Sequence, residues 1–396
     1  MEKIPLLVWY SPVNKYSLNA ILGALEKSSY QENLEFLLFT RSEKLISEVK
    51  NRKRALLLAS VMTKEAEEKK NFLLHLKDLN SHLEICLGGP HITAKGEEFF
   101  SLNPWLVKRE GEEAIEKVIE GFIANSSPSL ITFPHPVDLD SFPPFPRSLG
   151  IFGPIEITRG CPFGCYFCQT AYLSGRQVRH RSIEMILEYV SLMKRKDLTD
   201  IRFITPNALS YGSPDGKTIN LKALQELLTR VRKIIGPQGR IFFGSFPSEI
   251  RPEFVTPETI KLLRSLVNND NLVIGAQSGS EKMLQRMKRG HTKEEIFKAA
   301  EIAIQENFRV NIDFIFGLPG ETEEDQKETL STIETLTKMG AIIHAHYFTP
   351  LPGTPWEREK PSPLGSFLRK RLGKLAQEGK LFGNYDSCSQ WGEKRK

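Results

Sequence analysis

Short apolar runs and segments of helical period alternate along the first 125 residues. Leu6–Trp9, Leu34–Thr40, Ala55–Ser60 and Glu84–Leu87 read as strands, and Trp105–Lys108 as a fifth. Between them Ser17–Ser28, Ser42–Lys50 and Thr63–Leu79 have helical spacing, and a helix over Glu112–Phe122 closes the series. This rhythm predicts an open parallel sheet of Rossmann-like type. Residues 126–154 break it. Pro134, Pro136, Pro143, Pro144 and Pro146 follow in quick succession, and prolines at that density predict an extended interdomain linker. From Ile155 the rhythm resumes, with strands expected at Ile155–Thr158, Asp200–Ile204, Arg240–Gly244, Leu272–Ala276, Val310–Phe316 and Ile342–Phe348. Six strands with intervening helices predict a partial (β/α)6 barrel of TIM type, with its chemistry at the carboxyl ends of the strands. The expected α/β architecture is therefore a sheet domain over 1–125, a linker over 126–154, a barrel over 155–355 and a tail over 356–396.

Charge changes this picture only at the end of the chain. The net charge is +6, and residues 357–396 hold ten Lys/Arg against five Asp/Glu, so the rest is nearly neutral. A basic tail can grip a phosphate backbone, although a solvated helical face is the simpler account. The N-terminal apolar run is too short for a signal peptide, and no later run approaches the length of a membrane span, so a cytoplasmic protein is expected. Of five cysteines, three fall within eight residues, which is metal-site spacing in a reducing compartment.

Those three lie in Arg159-Gly160-Cys161-Pro162-Phe163-Gly164-Cys165-Tyr166-Phe167-Cys168, directly after the first barrel strand. Thiolates ligate iron–sulfur clusters, and Gly160 and Gly164 let the loop fold tightly round one corner of a cubane. Structural zinc wants four closed ligands, and neither Cys86 nor Cys388 has the spacing of a fourth. The motif resembles the signature of radical S-adenosylmethionine (SAM) enzymes. The resemblance implies a 4Fe–4S cluster on Cys161, Cys165 and Cys168, with SAM on the open iron. SAM would be cleaved to a 5′-deoxyadenosyl radical by an electron from a donor such as flavodoxin or ferredoxin.

The likeness extends over roughly residues 155–355. Phe167 would pack near the adenine. Gln277 and Ser278, in Ile274-Gly275-Ala276-Gln277-Ser278-Gly279-Ser280, match a motif that contacts the SAM ribose. Met287-Lys288-Arg289-Gly290-His291-Thr292 follows as in many members, and Gly317 lies in the glycine-rich end of the fifth strand, beneath the adenine. Where the family often has Gly-Gly-Glu for the methionyl amino group, this chain reads Ile204-Thr205-Pro206-Asn207-Ala208. Thr205 or Asn207 supplies the hydrogen-bonding group there, or the segment is a plain turn. Arg251 is either a bidentate partner of the SAM carboxylate or a surface arginine.

The first domain lacks a G-x-G-x-x-G after its first strand, which argues against a dinucleotide. Its spacing resembles that of the radical SAM subclass with an N-terminal cobalamin-binding domain. The matching positions are Asn14 and Tyr16, then Ser60 and Met62, then Gly88 and Gly89. Tyr16 stands where a cobalt-ligating histidine would be. The resemblance implies cobalamin as a third cofactor, and from it a cobalamin-dependent methyltransferase on an unknown substrate is expected. The alternatives are a cobalamin-independent radical SAM enzyme modifying a peptide, RNA or small molecule, and a non-catalytic iron–sulfur sensor. A methylthiotransferase would need a second cysteine trio in the first domain, where only Cys86 occurs. Nucleic acid is a possible partner without a dedicated binding module, and no membrane is expected. Cys388 is read as a structural thiol, or as part of a lid with Trp391.

Overall fold

The computed structural model describes residues 3–133 and 135–385. Cys388, Trp391 and the terminal basic run lie outside the described residues. Contacts divide the chain into two units, Met1–Pro154 and Ile155–Lys396.

The first unit is a six-stranded sheet, all parallel, in the order β2-β1-β3-β4-β5-β6. Its strands are β1 (Ile4–Trp9), β2 (Leu34–Phe39), β3 (Ala55–Ser60), β4 (Leu83–Gly88), β5 (Trp105–Val107) and β6 (Leu130–Ile131). Every residue of β3 is buried, as the centre of a sheet covered on both faces requires. Leu56 and Leu58 pack into one core, with α1 (Lys15–Leu25) and α5 (Ala114–Ile123). Leu57 and Ala59 face the other, with α2 (Ser42–Asn51) and α3 (Ala66–Leu79). A short α4 (Pro90–Lys95) follows β4. The proline-rich segment supplies β6 and packs on this unit: Phe145 is fully buried, and a Cβ at Gly23 of α1 would lie 2.7 Å from the Pro143 carbonyl.

The second unit holds parallel strands β7 (Ile155–Glu156), β10 (Asp200–Ile204) and β11 (Arg240–Phe242) in one sheet, ordered β11-β10-β7. Another sheet runs β12 (Asn271–Gln277), β13 (Arg309–Phe316), β14 (Ile342–Tyr347) and β15 (Leu381–Gly383), again parallel. The two join past β11, where Ile250 bridges Ile274 and Val273 N–H donates to the Gly244 carbonyl. The result is an open barrel of six main strands, with β15 added from a segment read as tail. A small hairpin, β8 (Thr158–Arg159) with β9 (Arg179–His180), brackets the cysteine loop and α6 (Thr170–Ser174). The remaining helices are α7 (Ile183–Lys194), α8 (Leu221–Ile235), α9 (Pro257–Leu266), α10 (Glu281–Arg286), α11 (Lys293–Gln305), α12 (Glu323–Met339) and α13 (Ser366–Gln377). No described helix is long and apolar enough to cross a membrane.

Period-two alternation sets the barrel's two faces. On β12–β14, Leu272, Ile274, Val310, Ile312, Phe314 and Ile343 are fully buried beneath the helices, while Asn271, Asn311, Asp313, His344 and His346 line an internal cavity. Capping boxes at Thr256, Thr292 and Thr322 start α9, α11 and α12. Losing such a cap costs about 1 kcal/mol. Asp325, which closes the last box, also accepts from Ser280 Oγ at 2.8 Å and so ties the end of β12 to α12.

Glu321, just before α12, is buried and accepts the Gly317 N–H at 3.1 Å. Burial pushes its carboxyl up to about 8 from 4.5. Between these values the folded chain holds a proton that the unfolded chain has released, so this group's contribution to stability falls as pH rises from about 4.5 through 8. Glu321→Gln keeps an acceptor without the charge. Chemical denaturation at pH 5 and pH 8.5 should show a smaller loss of stability in the variant than in the wild type, by at most a few kcal/mol.

Candidate active site

Loop geometry comes first. Gly160 adopts φ +90°, and a Cβ there would lie 2.1 Å from the Gln177 carbonyl; Gly164, at φ +64°, would meet the Arg176 guanidinium at 2.7 Å. Gly160 is required against that backbone, and Gly164 takes its left-handed turn without steric cost. The loop is pinned by Cys161 N–H to the Gly175 carbonyl at 3.0 Å and by Tyr166 N–H to the Met287 carbonyl at 3.0 Å. Cys161, Cys165 and Cys168 then line one cavity of about 560 Å³. Burial raises the Cys161 and Cys168 thiols above their ordinary range, so thiolates here need cationic neighbours.

Two arginines supply them. Arg289 is buried, with Nη1 3.8 Å from Cys165 Sγ and Nη2 donating to the Gly275 carbonyl at 2.6 Å. Burial opposes its charge, but Cys165 and Glu249 outweigh that and raise its pKa. Arg251 is 2% exposed, so it is no surface residue. Its Nη1 lies 3.9 Å from Cys165 Sγ, its Nε donates to Glu253 at 2.6 Å, its Nη2 donates to the Arg289 carbonyl, and its guanidinium stacks 3.5 Å above the Phe163 ring. His291 is buried beside them, and burial together with the two guanidinium charges pushes its pKa down to about 2, so it stays neutral.

The residues proposed for SAM divide. Phe167, Thr205, Asn207 and Arg251 line the cavity with the cysteines. Asn207 Oδ1 accepts the Arg251 N–H at 3.2 Å, while its buried Nδ2 has no acceptor in the protein. A donor of this kind beside two guanidiniums suits a carboxylate, and three thiols suit iron, so the donor set fits a SAM-bound cluster. Gln277, Ser278 and Gly317 lie outside the cavity lining. Gln277 sits at a bulge with φ +75°, Ser278 Oγ is 3.4 Å from Thr329 Oγ1, and Gly317, at φ +71°, makes room for the Tyr347 ring.

Arg289, Glu249, Asp313, His344 and His346 were not singled out from sequence. The signal for the last three was present, as Asn311-Ile312-Asp313-Phe314 and Ile343-His344-Ala345-His346 alternate polar and apolar residues in strands with helices on only one side.

In the first unit, Asn14 and Tyr16 lie at the start of α1, which follows β1, while Ser60, Met62, Gly88 and Gly89 lie at or just beyond the carboxyl ends of β3 and β4. Several are engaged internally. Asn14 Oδ1 accepts the Ser11 N–H at 2.8 Å, and Ser60 Oγ is bonded to Ser17 Oγ at 3.0 Å. The Ser60 carbonyl accepts from Lys69 Nζ at 2.7 Å. Gly89, at φ +96°, is needed because a Cβ would lie 2.6 Å from Ser60 Oγ. Tyr16 and Met62 are half-buried.

Residues 155–333 match the Radical SAM superfamily. The chain is 26% identical to tRNA-2-methylthio-N(6)-dimethylallyladenosine synthase of Buchnera aphidicola subsp. Schizaphis graminum, over 94% of this chain and 82% of that protein. It is 29% identical to the Bordetella petrii synthase of the same name, over 71% of this chain and 58% of that one. Two solved structures share the fold: the radical SAM methyltransferase TsrM of Kitasatospora setae with cobalamin and a [4Fe–4S] cluster bound (TM-score 0.68, 15% identity, 90% of this chain and 74% of that one), and the cobalamin-dependent radical SAM enzyme OxsB with aqua-cobalamin bound (TM-score 0.64, 18% identity, 96% and 56%). The expected cobalamin-dependent methyltransferase is overturned by the synthases, whose likeness runs through nearly the whole chain; at 15–18% identity TsrM and OxsB speak for fold alone. Residues 155–333 thus match the Radical SAM superfamily, and the three thiols and buried guanidiniums of the second unit fit the 4Fe–4S cluster and SAM that such a domain implies.

Proposed function

We propose that this chain is a radical SAM enzyme that modifies a nucleoside within RNA. The observation that carries the reading is the 94% span of the match to a tRNA-modifying synthase, which takes in both units. When bound, the cluster and SAM supply a 5′-deoxyadenosyl radical by one-electron cleavage, with the electron drawn from a flavodoxin- or ferredoxin-type donor. The chain's own residues hold and orient. Arg251 and Asn207 Nδ2 offer donors to a carboxylate, Arg289 balances the charge at Cys165, and Phe167 packs at the cavity wall.

The cavity rim suits a base. Phe246 lines it while 74% exposed, and Phe382 lines it at 47%. Unstacked bases are held on such aromatic faces. On α13, Lys370 and Lys374 are exposed and can meet phosphates. With Cys86 the one cysteine before the barrel, the second cysteine trio of a methylthiotransferase is missing.

A second reading concerns the first unit alone: it holds a corrinoid at the carboxyl ends of its strands, beside Gly88 and Gly89. The shared fold with TsrM and OxsB favours this, and so does the general habit of parallel sheets to bind ligands at that edge. The internal engagement of Asn14, Ser60 and Gly89 weighs against it.

After anaerobic reconstitution, the wild type should carry about four irons per chain and form 5′-deoxyadenosine with SAM and reductant. Cys161→Ala should lose most of the iron and all of that product; retention of both would sink the cluster assignment. Bulk tRNA should bind, with Phe246→Ala weakening affinity about 5- to 100-fold at unchanged iron content. Lys370→Ala and Lys374→Ala should each lower the salt slope by about one. RNA that neither binds nor is altered removes the RNA reading. Hydroxocobalamin added before desalting should leave one cobalt per chain if the second reading holds and none if it fails.

A further inference from the structure

The cavity lining also carries, on β13 and β14, a cluster that none of the chemistry above uses. Asp313 on β13 stands directly across from His344 on β14 in parallel register, and His346 follows two residues on, so all three face the cavity. His344 Nδ1 lies 2.9 Å from Asp313 Oδ1, and His346 Nε2 lies 3.9 Å from the same oxygen. One ligand atom from each of the three falls within 4.8 Å of the others. The Asp313 side chain is 11% exposed, while the imidazoles remain open to the cavity at 32% and 43%. The His344 ring is held by Phe382, stacked at 4.5 Å and 10°, and its Cδ2 would lie 3.0 Å from any Cβ at Gly383.

We propose that Asp313, His344 and His346 form a binding site for a divalent transition-metal ion, with its open positions facing the cavity. Two imidazoles and a carboxylate select zinc, iron, manganese or cobalt over magnesium and calcium, which prefer oxygen alone. Metal–ligand bonds of about 2.0–2.2 Å place neighbouring ligand atoms roughly 3.0–3.4 Å apart. The Asp313–His344 separation of 2.9 Å is already close to such an edge. From 3.9 Å, His346 must close by about half to one ångström. Its exposure to the cavity leaves it free to do so. The rival account is an Asp–His hydrogen bond that merely orients His344. That account leaves His346 beyond hydrogen-bond reach of Asp313, with its ring centroid 4.1 Å from that of His344, whereas an ion at the centre uses all three. Three protein ligands leave the remaining positions for water or for a phosphate or hydroxyl oxygen of whatever enters the cavity. This site rests on the barrel strands and not on the RNA reading.

Metal retention tests it without SAM or RNA. Cluster-loaded protein is incubated anaerobically with zinc and desalted, and iron, sulfide and zinc are counted per chain. The expected result is one zinc beyond an intact cluster, with zinc affinity at least 100-fold weaker in His344→Ala and His346→Ala. His346→Gln, at a half-open position, guards against a folding defect and should lose zinc while keeping iron and thermal stability. In a Cys161→Ala/Cys165→Ala/Cys168→Ala variant, cobalt(II) should give a high-spin electron paramagnetic resonance signal that His346→Gln abolishes. Zinc absent from the wild type, or retained equally in the histidine variants, overturns the proposal.

Discussion

Two guanidiniums buried side by side govern the second unit. Arg251 and Arg289 repel each other out of solvent, and each offsets its cost through fixed anions and carbonyls, Arg251 also by stacking on Phe163. Arg251 has Glu253, the Arg289 carbonyl and Cys165; Arg289 has the Gly275 carbonyl, Cys165 and the nearby Glu249. Cys165 Sγ lies 3.9 Å from Arg251 Nη1 and 3.8 Å from Arg289 Nη1, so a cluster held there would place its negative charge beside two fixed cations. Gly275 follows from the same constraint, since a Cβ there would lie within 3 Å of Arg289, Gln277 and Glu249.

That constraint also explains which parts of the site could be read from sequence. The cysteine loop was legible because three thiols and two glycines in fixed order leave few other uses. The barrel strands were legible from apolar runs such as Leu272–Ala276, and the parallel sheet of the first unit from Ala55–Ser60. Arg289 was not, because an arginine in Met287-Lys288-Arg289-Gly290 gives no local hint that it turns inward; its burial is set by Gly275, fourteen residues earlier, and by a cysteine loop far along the chain. Arg251 was readable either way for the same reason. β15 was missed because Leu381–Gly383 is too short for alternation to register, and it forms by adding to the edge offered by β14.

Function was harder to read than fold. In the first unit, Asn14, Ser60 and Gly88–Gly89 stand in the order of a cobalamin site, and from that order a methyl transfer was inferred. Yet Gly89 is required by Ser60 whether or not a ligand is present, and Ser60 finds its partners in Ser17 and Lys69. A residue pattern can survive for the sake of its own packing. The match to tRNA-modifying synthases, running through the same segments, then weighs more than the pattern does.

The polar lumen completes the argument. Barrel interiors are ordinarily filled by branched apolar side chains. Here β12, β13 and β14 send Asn271, Asn311, Asp313, His344 and His346 inward together with Val273, and keep most of their other apolar residues under the helices. Such a lining forgoes the burial that stabilises an ordinary barrel, roughly 1.5–3 kcal/mol for each apolar side chain replaced. The helices recover part of that stability through their caps and through the tie from Asp325 to Ser280, both outside the lumen. The cavity thereby gathers thiols and guanidiniums from the loops with imidazoles and a carboxylate from β13 and β14.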